Sequence, residues 1–299
     1  MDLEKKAIER IQIASDMSLH HYGQPLVCTY SGGKDSDVML ELFKRSGVPF
    51  EVHNSHTTVD APPTVYHIRK KFRELELQGI PANIEMPTFQ GKRVTMWSLI
   101  PDKAIPPSRT MRYCCSVLKE TGCANRFIAT GVRWDESNAR ADRAAYETIT
   151  SSKKNKTTIS DEVMLMNDNS NKRKLTEHCM KKNKMVVNPI IDWTHRDIWD
   201  FIRSERVEYN SLYDCGYRRV GCVGCPMADT GRWKQFADFP TYQRAYIRAF
   251  DEMLKRLNER RKERPPRWKN GHEVFLWWMQ DKNVEGQMSI ADFAEESEW

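Results

Sequence analysis

Apolar residues recur along this chain at two spacings. Leu3, Ala7, Ile11, Ala14 and Leu19 fall three to five residues apart, which predicts an amphipathic helix over residues 3–21. Pro25 to Thr29 is a short apolar run that predicts a strand, and Val38 to Phe43 returns to helical spacing. Further strands are expected at Val48 to His53, Asn83 to Met86, Arg126 to Thr130 and Met185 to Ile191. Between them Pro62 to Leu77 predicts a helix, since proline is tolerated in a first turn, and Asp192 to Trp199 predicts a capped helix start. Thr241 to Arg264 predicts a long helix ended by Pro265-Pro266, and Glu273 to Gln280 a short aromatic one. Strands alternating with helices indicate an α/β fold with a mostly parallel, doubly wound sheet. Ligands of such sheets sit beyond the carboxyl ends of the strands. The polar interval 150–184 interrupts this pattern and reads as an insertion or lid.

One junction carries more information than the others. Tyr30-Ser31-Gly32-Gly33-Lys34-Asp35-Ser36-Asp37 lies between the first apolar run and the following amphipathic one. Strand, tight glycine turn and helix start would bring unpaired N–H groups and the positive end of a helix dipole together. Two residues without side chains let a phosphate approach the backbone. Lys34 adds a mobile charge, and Ser31 and Ser36 add hydroxyls. A Walker A loop would need glycine where Cys28 stands and Ser or Thr where Asp35 stands.

Composition narrows the class. The 299 residues, 39% hydrophobic, suffice for a sizeable core. No apolar run approaches the roughly 20 residues that cross a bilayer, and the charged start Met1-Asp2-Leu3-Glu4-Lys5-Lys6 lacks an apolar signal region. A cytoplasmic protein without a membrane contact is therefore expected. The net charge of +6 is concentrated between Arg244 and Lys269, where ten Lys or Arg meet four Asp or Glu. Such a basic helix is a solvated face or a nucleic-acid contact. Eight cysteines in a chain of this size point to metal or redox chemistry more than to a disulfide framework. Cys222-Val223-Gly224-Cys225-Pro226 has the spacing that brings two thiolates to one metal centre, and Cys114-Cys115 supplies a second pair. Cys215 is an alternative to one member of that pair, and Cys123 a weaker one. Cys28 reads as a buried inert thiol, and Cys179 as a spectator in the polar interval.

These motifs carry a family resemblance. Ser31 to Ser36 resembles the SGGxDS signature of the PP-loop ATP pyrophosphatases, within the adenine nucleotide alpha-hydrolase superfamily. The Cys-Cys step with a later Cys-x-x-Cys resembles the iron-sulfur branch of the phosphoadenylyl-sulfate (PAPS) reductase family. Gly131-Val132-Arg133-Trp134-Asp135-Glu136-Ser137-Asn138-Ala139-Arg140 resembles that family's Gly-x-Arg…Glu-Ser-x-x-Arg segment, whose arginines can clamp phosphate or sulfate. His56 to Thr64 stands where the family has a polar turn facing the nucleotide, with departures from the commoner residues. The resemblance implies a nucleotide-binding domain over 1–230, including the 150–184 insertion, and a helical basic extension over 231–299. It implies nucleotide contacts from Ser31, Gly32, Gly33, Lys34, Asp35, Ser36, Thr57, Asp60, Gly131, Arg133 and Arg140, with Lys34, Asp35 and Arg133 catalytic. It also implies that Cys114, Cys115, Cys222 and Cys225 hold a 4Fe-4S cluster, with zinc as the rival occupant.

The implied activity is that of an ATP pyrophosphatase, similar to the phosphorothioation enzymes, which splits ATP between its α and β phosphates with Mg²⁺ and adenylates a substrate. Its pathway would be sulfur transfer or nucleic-acid modification, with nucleic acid at the basic helix 244–269 and a sulfur-donor protein as further partners. The first alternative is a thiol-dependent phosphoadenylyl-sulfate or adenylyl-sulfate reductase. That reaction needs a nucleophilic cysteine in a tail motif, and no cysteine follows Cys225 in these residues. The Lys34-Asp35 pair also follows the ATP-using form of the loop. The second alternative is a nucleic-acid-binding module with a relic nucleotide loop.

Overall fold

The computed structural model describes residues 2–136, 138–149, 157–159, 184–228, 231–260 and 268–280. Most of the polar interval with Cys179, residues 261–267 of the basic stretch, and the acidic tail lie outside the described residues. The chain divides into two compact units that interleave in sequence. The first comprises Met1–Ser55, Pro62–Glu85 and Gly122–Val220, and the second His56–Ala61, Met86–Thr121 and Gly221–Trp299. The second unit thus draws residues 56–61, 86–121 and 221–230 from inside the range expected for the nucleotide-binding domain.

The first unit opens with helix α1 (Leu3–Tyr22), which Asp2 caps through its side chain at Glu4 N. Strand β1 (Leu26–Thr29) leads to α2 (Lys34–Ser46), β2 (Phe50–Ser55), α3 (Pro62–Leu77) and β3 (Ala82–Glu85). The remaining strands of this unit, numbered after a short hairpin in the second unit, are β6 (Phe127–Ala129), β7 (Tyr146–Ile149), β8 (Thr157–Ile159) and β9 (Lys184–Val187). Helix α7 (His195–Ser204) follows β9, capped by Thr194 where the sequence predicts a capped start. The strands form one seven-stranded sheet in the order β3-β2-β1-β6-β9-β7-β8. The first five are parallel, as expected, and β7 and β8 join antiparallel. Those two were not predicted: β7 has no long apolar run, and β8 falls in the polar interval.

The sheet supplies one large core. Leu26 and Cys28 of β1 and Phe50 and Val52 of β2 face Ile11 of α1, Leu42 and Phe43 of α2, and Phe72 and Leu75 of α3. The alternate side chains Val27, Ile128 and Val186 form a smaller cluster on the opposite face. Burial on both faces explains why β1 reads as a continuous apolar run. The buried thiol of Cys28 is pushed well above its usual value by desolvation, in keeping with an inert core residue.

The second unit contains the hairpin β4 (Thr88–Phe89) and β5 (Lys92–Arg93), then α4 (Met96–Lys103) and α5 (Tyr113–Leu118). Its other helices are α8 (Gly231–Asp238), α9 (Pro240–Arg260) and α10 (Gly271–Met279). Phe236, Tyr246, Phe250, Phe275 and Trp278 pack as an aromatic cluster among them. On α10, Trp278 is buried in this cluster and the Trp277 ring lies tilted against Trp268, centroids 4.9 Å apart. No described helix is long and apolar enough to cross a membrane.

A buried ion-pair set fastens α1 to the segment after β9. Asp192 accepts from Lys6 Nζ at 2.6 Å and Arg10 Nη1 at 2.8 Å. Partial burial raises the Asp192 carboxyl, but the Arg10 and Lys6 hydrogen bonds outweigh it and hold the folded value below the usual one. A depressed carboxyl stabilises the fold above its unfolded pKa, about 3.9, and loses that contribution as pH falls through the folded value. Urea unfolding midpoints of wild type and Asp192→Asn should therefore differ at neutral pH and converge as pH falls below about 4; a constant difference down to acid would contradict this pairing.

Candidate functional site

The site begins where two strands part. From β1 the chain turns toward β2 on one side, and from β6 toward β9 on the other. The segments after β1 and β6 therefore bound a crevice at the carboxyl end of the sheet. Residues 30–33 form the first segment and lead straight into α2.

Gly32 adopts φ +71°, and a Cβ there would lie 2.8 Å from Ile68 Cγ1 on α3, so both backbone and space require glycine. Gly33 caps α2, donating its N–H to Ser36 Oγ at 3.1 Å while that hydroxyl donates to Gly33 O at 2.7 Å. Asn210, fully buried, donates to Gly32 O at 3.0 Å and Thr64 Oγ1 at 3.1 Å. Tyr213 accepts from Lys34 N at 3.1 Å, and the Lys34 ammonium lies 5.8 Å from its ring centroid. Below the turn, buried Asp37 receives Tyr30 Oη at 2.5 Å and faces His67 Nε2 at 2.9 Å. That cluster ties β1, α2 and α3 together directly beneath the glycines.

The second segment reaches across through Arg133. Gly131 lies so close to α2 that a Cβ would stand 3.4 Å from the Asp35 backbone. Arg133, 3% exposed, donates Nε to Asp35 Oδ1 at 2.7 Å and Nη1 to Trp193 O at 3.3 Å. The other oxygen of Asp35 accepts Lys34 Nζ at 2.8 Å. One carboxylate thus holds two cations at the first turn of the helix. Arg133 also lies 3.5 Å from Asp135, and Arg140 pairs with Glu136, so the mixed charges of this stretch are partly self-paired. Ser31, Gly32, Gly33, Lys34, Asp35, Ser36, Gly131, Arg133 and Arg140 all belong to this first unit.

Several residues here were not singled out from sequence. His195 donates its N–H to Asp135 Oδ2 at 2.7 Å, and partial burial with the Lys34 and Arg133 charges keeps its ring below the usual histidine pKa. Burial, then the Arg219 and Arg143 charges, lower the Arg140 guanidinium. A cationic surface of this kind favours an anionic ligand. Asn210 caps a short 3₁₀ turn, Tyr213 ends it and Arg219 follows it, with no local motif to mark them; only the burial of Asn210 reveals its role.

Thr57 and Asp60 fall in the second unit with the four cysteines. Thr57 Oγ1 donates to Asp60 Oδ2 at 2.7 Å, and Asp60 forms an antiparallel bridge with Cys222. The turn bearing Cys222 and Cys225 is built around Gly224, at φ +75°, where a Cβ would lie 2.6 Å from Phe236 Cζ. Gln235 accepts Gly224 N at 2.8 Å, and Tyr246 donates to Val223 O at 3.0 Å. The helices after residue 230 thus brace this turn.

Cys114 and Cys115 open α5. A hydrogen bond from Cys114 lowers the Cys115 thiol and raises Cys114, and Arg112, donating to Cys115 Sγ at 3.4 Å, adds to the lowering. Burial pushes Cys222 up to about 11, with Asp60 adding and Lys119 and Thr57 opposing. The Cys222 sulfur in turn raises the Lys119 ammonium. No three of the four sulfurs lie within 4.8 Å of one another among the described residues. Cys123 belongs to the first unit, and Cys215 is exposed in that unit.

Comparison with known proteins supplies the family. The chain is 26% identical over 233 residues to an uncharacterized protein of Methanocaldococcus jannaschii, covering 76% of this chain and 47% of that one. It thus spans less than half the length of that relative. It is 43% identical over 54 residues to adenosine 5'-phosphosulfate reductase of Allochromatium vinosum, covering 16% of this chain and 21% of the relative. Among solved structures, PAPS reductase from Candida auris aligns with a TM-score of 0.44 at 16% identity, over 74% of this chain and 92% of that one. The U34-tRNA thiolase NcsA of Methanococcus maripaludis, solved with its [4Fe-4S] cluster, aligns at 0.41 and 14% identity, over 88% and 81%. A family model for the phosphoadenosine phosphosulfate reductase domain matches residues 25–228, which include the glycine turn, the arginine segment and all four paired cysteines. The chain belongs to the phosphoadenosine phosphosulfate reductase domain family.

Proposed function

We propose that this protein is a PP-loop ATP pyrophosphatase that adenylates a substrate in a sulfur-transfer or nucleic-acid-modification pathway, and that it carries a 4Fe-4S cluster. The observation that carries this reading is the Lys34–Asp35–Arg133 bridge at the N-terminus of α2. A helix N-terminus already favours phosphate, and the bridge adds two positioned cations. Attack by a substrate oxygen on the α-phosphorus breaks the bond to the β-phosphate and moves negative charge onto the departing pyrophosphate. Lys34 and the amides at the helix start neutralise that charge, while Arg133, held by Asp35 and the Trp193 carbonyl, directs its remaining N–H groups at phosphate oxygens. Both oxygens of Asp35 are engaged by cations, so its role is to orient them; Mg²⁺ bound with ATP would supply further neutralisation of the phosphate charge. Arg140 and Arg219 extend the cationic surface toward the acceptor. A nucleic-acid acceptor could use the basic stretch 244–269, of which Arg244 to Arg260 are helical.

The donor set is four cysteine sulfurs, with Arg112 beside Cys115 and Lys119 beside Cys222, which suits thiolate ligands of a cluster or of zinc; the family resemblance favours the cluster. Cys114, Cys115, Cys222 and Cys225 would hold the cluster, which when bound supplies a thiolate-ligated iron–sulfur centre. Thr57, Asp60 and Lys119 are then its polar surroundings.

The family match also favours a second reading, reduction of adenylyl sulfate or its 3′-phosphorylated form, because a phosphosulfate is likewise an anion that a helix N-terminus and arginines favour. One experiment separates these readings and a second tests the cluster. With ATP and Mg²⁺ the protein should release pyrophosphate, and Lys34→Ala should slow release by about 100-fold or more; unchanged release in the variant, or sulfite formation from adenylyl sulfate with a thiol donor, would overturn the ATP reading. Anaerobic purification should give a brown, iron-containing protein that loses its colour in Cys222→Ser, whereas a colourless zinc protein would refute the cluster.

A further inference from the structure

A second group of donor atoms stands in the first unit and takes no part in the ATP reading. His53, Glu85 and Cys123 each place one ligand atom within 4.8 Å of the other two. They come from three separate segments. His53 is on β2, Glu85 ends the neighbouring strand β3, and Cys123 stands just before β6. In the register Val52 pairs with Ala82 and Ser55 with Glu85. The burial alternation of β2 puts His53 on the face opposite Val52 and Asn54. Cys123 packs beside Val27, Ile128 and Val186 on that smaller-core face of the sheet.

The arrangement is built on several sides. The Cys123 sulfur lies 3.2 Å from His53 Nδ1. The other ring nitrogen, Nε2, lies 3.6 Å from the Glu51 carboxylate and 3.4 Å from the Asn83 amide. Glu51 is itself fixed by Arg126. A carboxylate at the far nitrogen of an imidazole orients the ring of a metal-ligating histidine and raises its basicity. A Cβ on Gly122 would stand 2.1 Å from Glu85 Oε2, so glycine at this position leaves the exposed Glu85 carboxylate its present place beside Cys123. Lys184 donates to Gly122 O at 2.6 Å and fixes the same turn.

We infer that His53, Glu85 and Cys123 form a binding site for a divalent metal ion of borderline softness, Zn²⁺ foremost. A thiolate and an imidazole favour zinc over magnesium or calcium, and the carboxylate is tolerated by zinc and not by Cu(I). Three protein ligands leave a fourth position for water. The ion displaces the Cys123 thiol proton, which passes to solvent as the sulfur–metal bond forms, so binding releases one proton. It fastens β2, β3 and the segment before β6 at one edge of the parallel sheet.

The test is Co²⁺ titration of chelator-treated protein, read by thiolate-to-cobalt charge-transfer absorption, in wild type, His53→Gln, Cys123→Ser and Glu85→Gln. The four-cysteine set is common to all four proteins and cancels in the comparison. Wild type should bind one equivalent more than His53→Gln or Cys123→Ser, and Glu85→Gln should bind that equivalent more weakly. Zn²⁺ should raise the thermal midpoint of wild type above that of His53→Gln, with matching midpoints when metal-free; this second readout holds even where Cys123→Ser folds poorly. Equal stoichiometry and superimposable spectra in wild type and His53→Gln would overturn the site, as would a Zn²⁺ shift of equal size in both. Neither outcome depends on ATP chemistry, so failure here leaves the pyrophosphatase reading standing.

Discussion

The Arg133–Asp35 ion pair is the contact on which the rest of the site depends. It joins the segment after β6 to the first turn of α2, across the point where the sheet's connections diverge. An exposed pair contributes about 0–1 kcal/mol. Arg133 is buried, and removing one member of a buried pair costs about 3–5 kcal/mol because the other charge is left without a partner. Arg140 and Glu136, more exposed, lie near the exposed-pair figure instead. The buried pair also fixes Lys34, since both cations share one carboxylate. A single acidic residue in the glycine turn therefore sets where two positive charges stand relative to the helix N-terminus.

The two units divide the chemistry between them. The first holds the phosphate-favouring turn, the arginines and the His53 group. The second holds the four paired cysteines, Thr57 and Asp60, with the aromatic helices braced against Gly224. The helices after residue 230 are consequently more than a basic appendage, because Phe236, Gln235 and Tyr246 shape the Cys222–Cys225 turn from behind.

Much of this was legible in the chain. The apolar runs at 25–29 and 126–130 and the helix at 62–77 announced a parallel sheet, because strands buried on both faces carry nearly unbroken hydrophobicity. The glycine turn was legible because its chemistry is local: strand, glycines and helix start adjoin in sequence. What escaped was set by tertiary contact. Asn210, Tyr213, His195 and Arg219 meet the turn from residues far along the chain, and none stands in a repeating pattern. The strands β7 and β8 lack an apolar run and gain their place by pairing with β9. Thr57 and Asp60 read as nucleotide contacts from their position after β2; what the sequence does not show is that Thr57 donates to Asp60 and that Asp60 bridges Cys222. His53, Glu85 and Cys123, separated by 30 to 70 positions, share no spacing rule and become neighbours only when β2, β3 and β6 align.

The central claim is that this turn directs cleavage of ATP between its α and β phosphates. Incubation of the whole protein with Mg²⁺ and ATP labelled in the α-phosphate tests it most directly, with the labelled products separated and identified. Label in AMP or an adenylated acceptor, with unlabelled pyrophosphate in equal amount, is the predicted result; label in ADP, or no turnover with any acceptor, would contradict it.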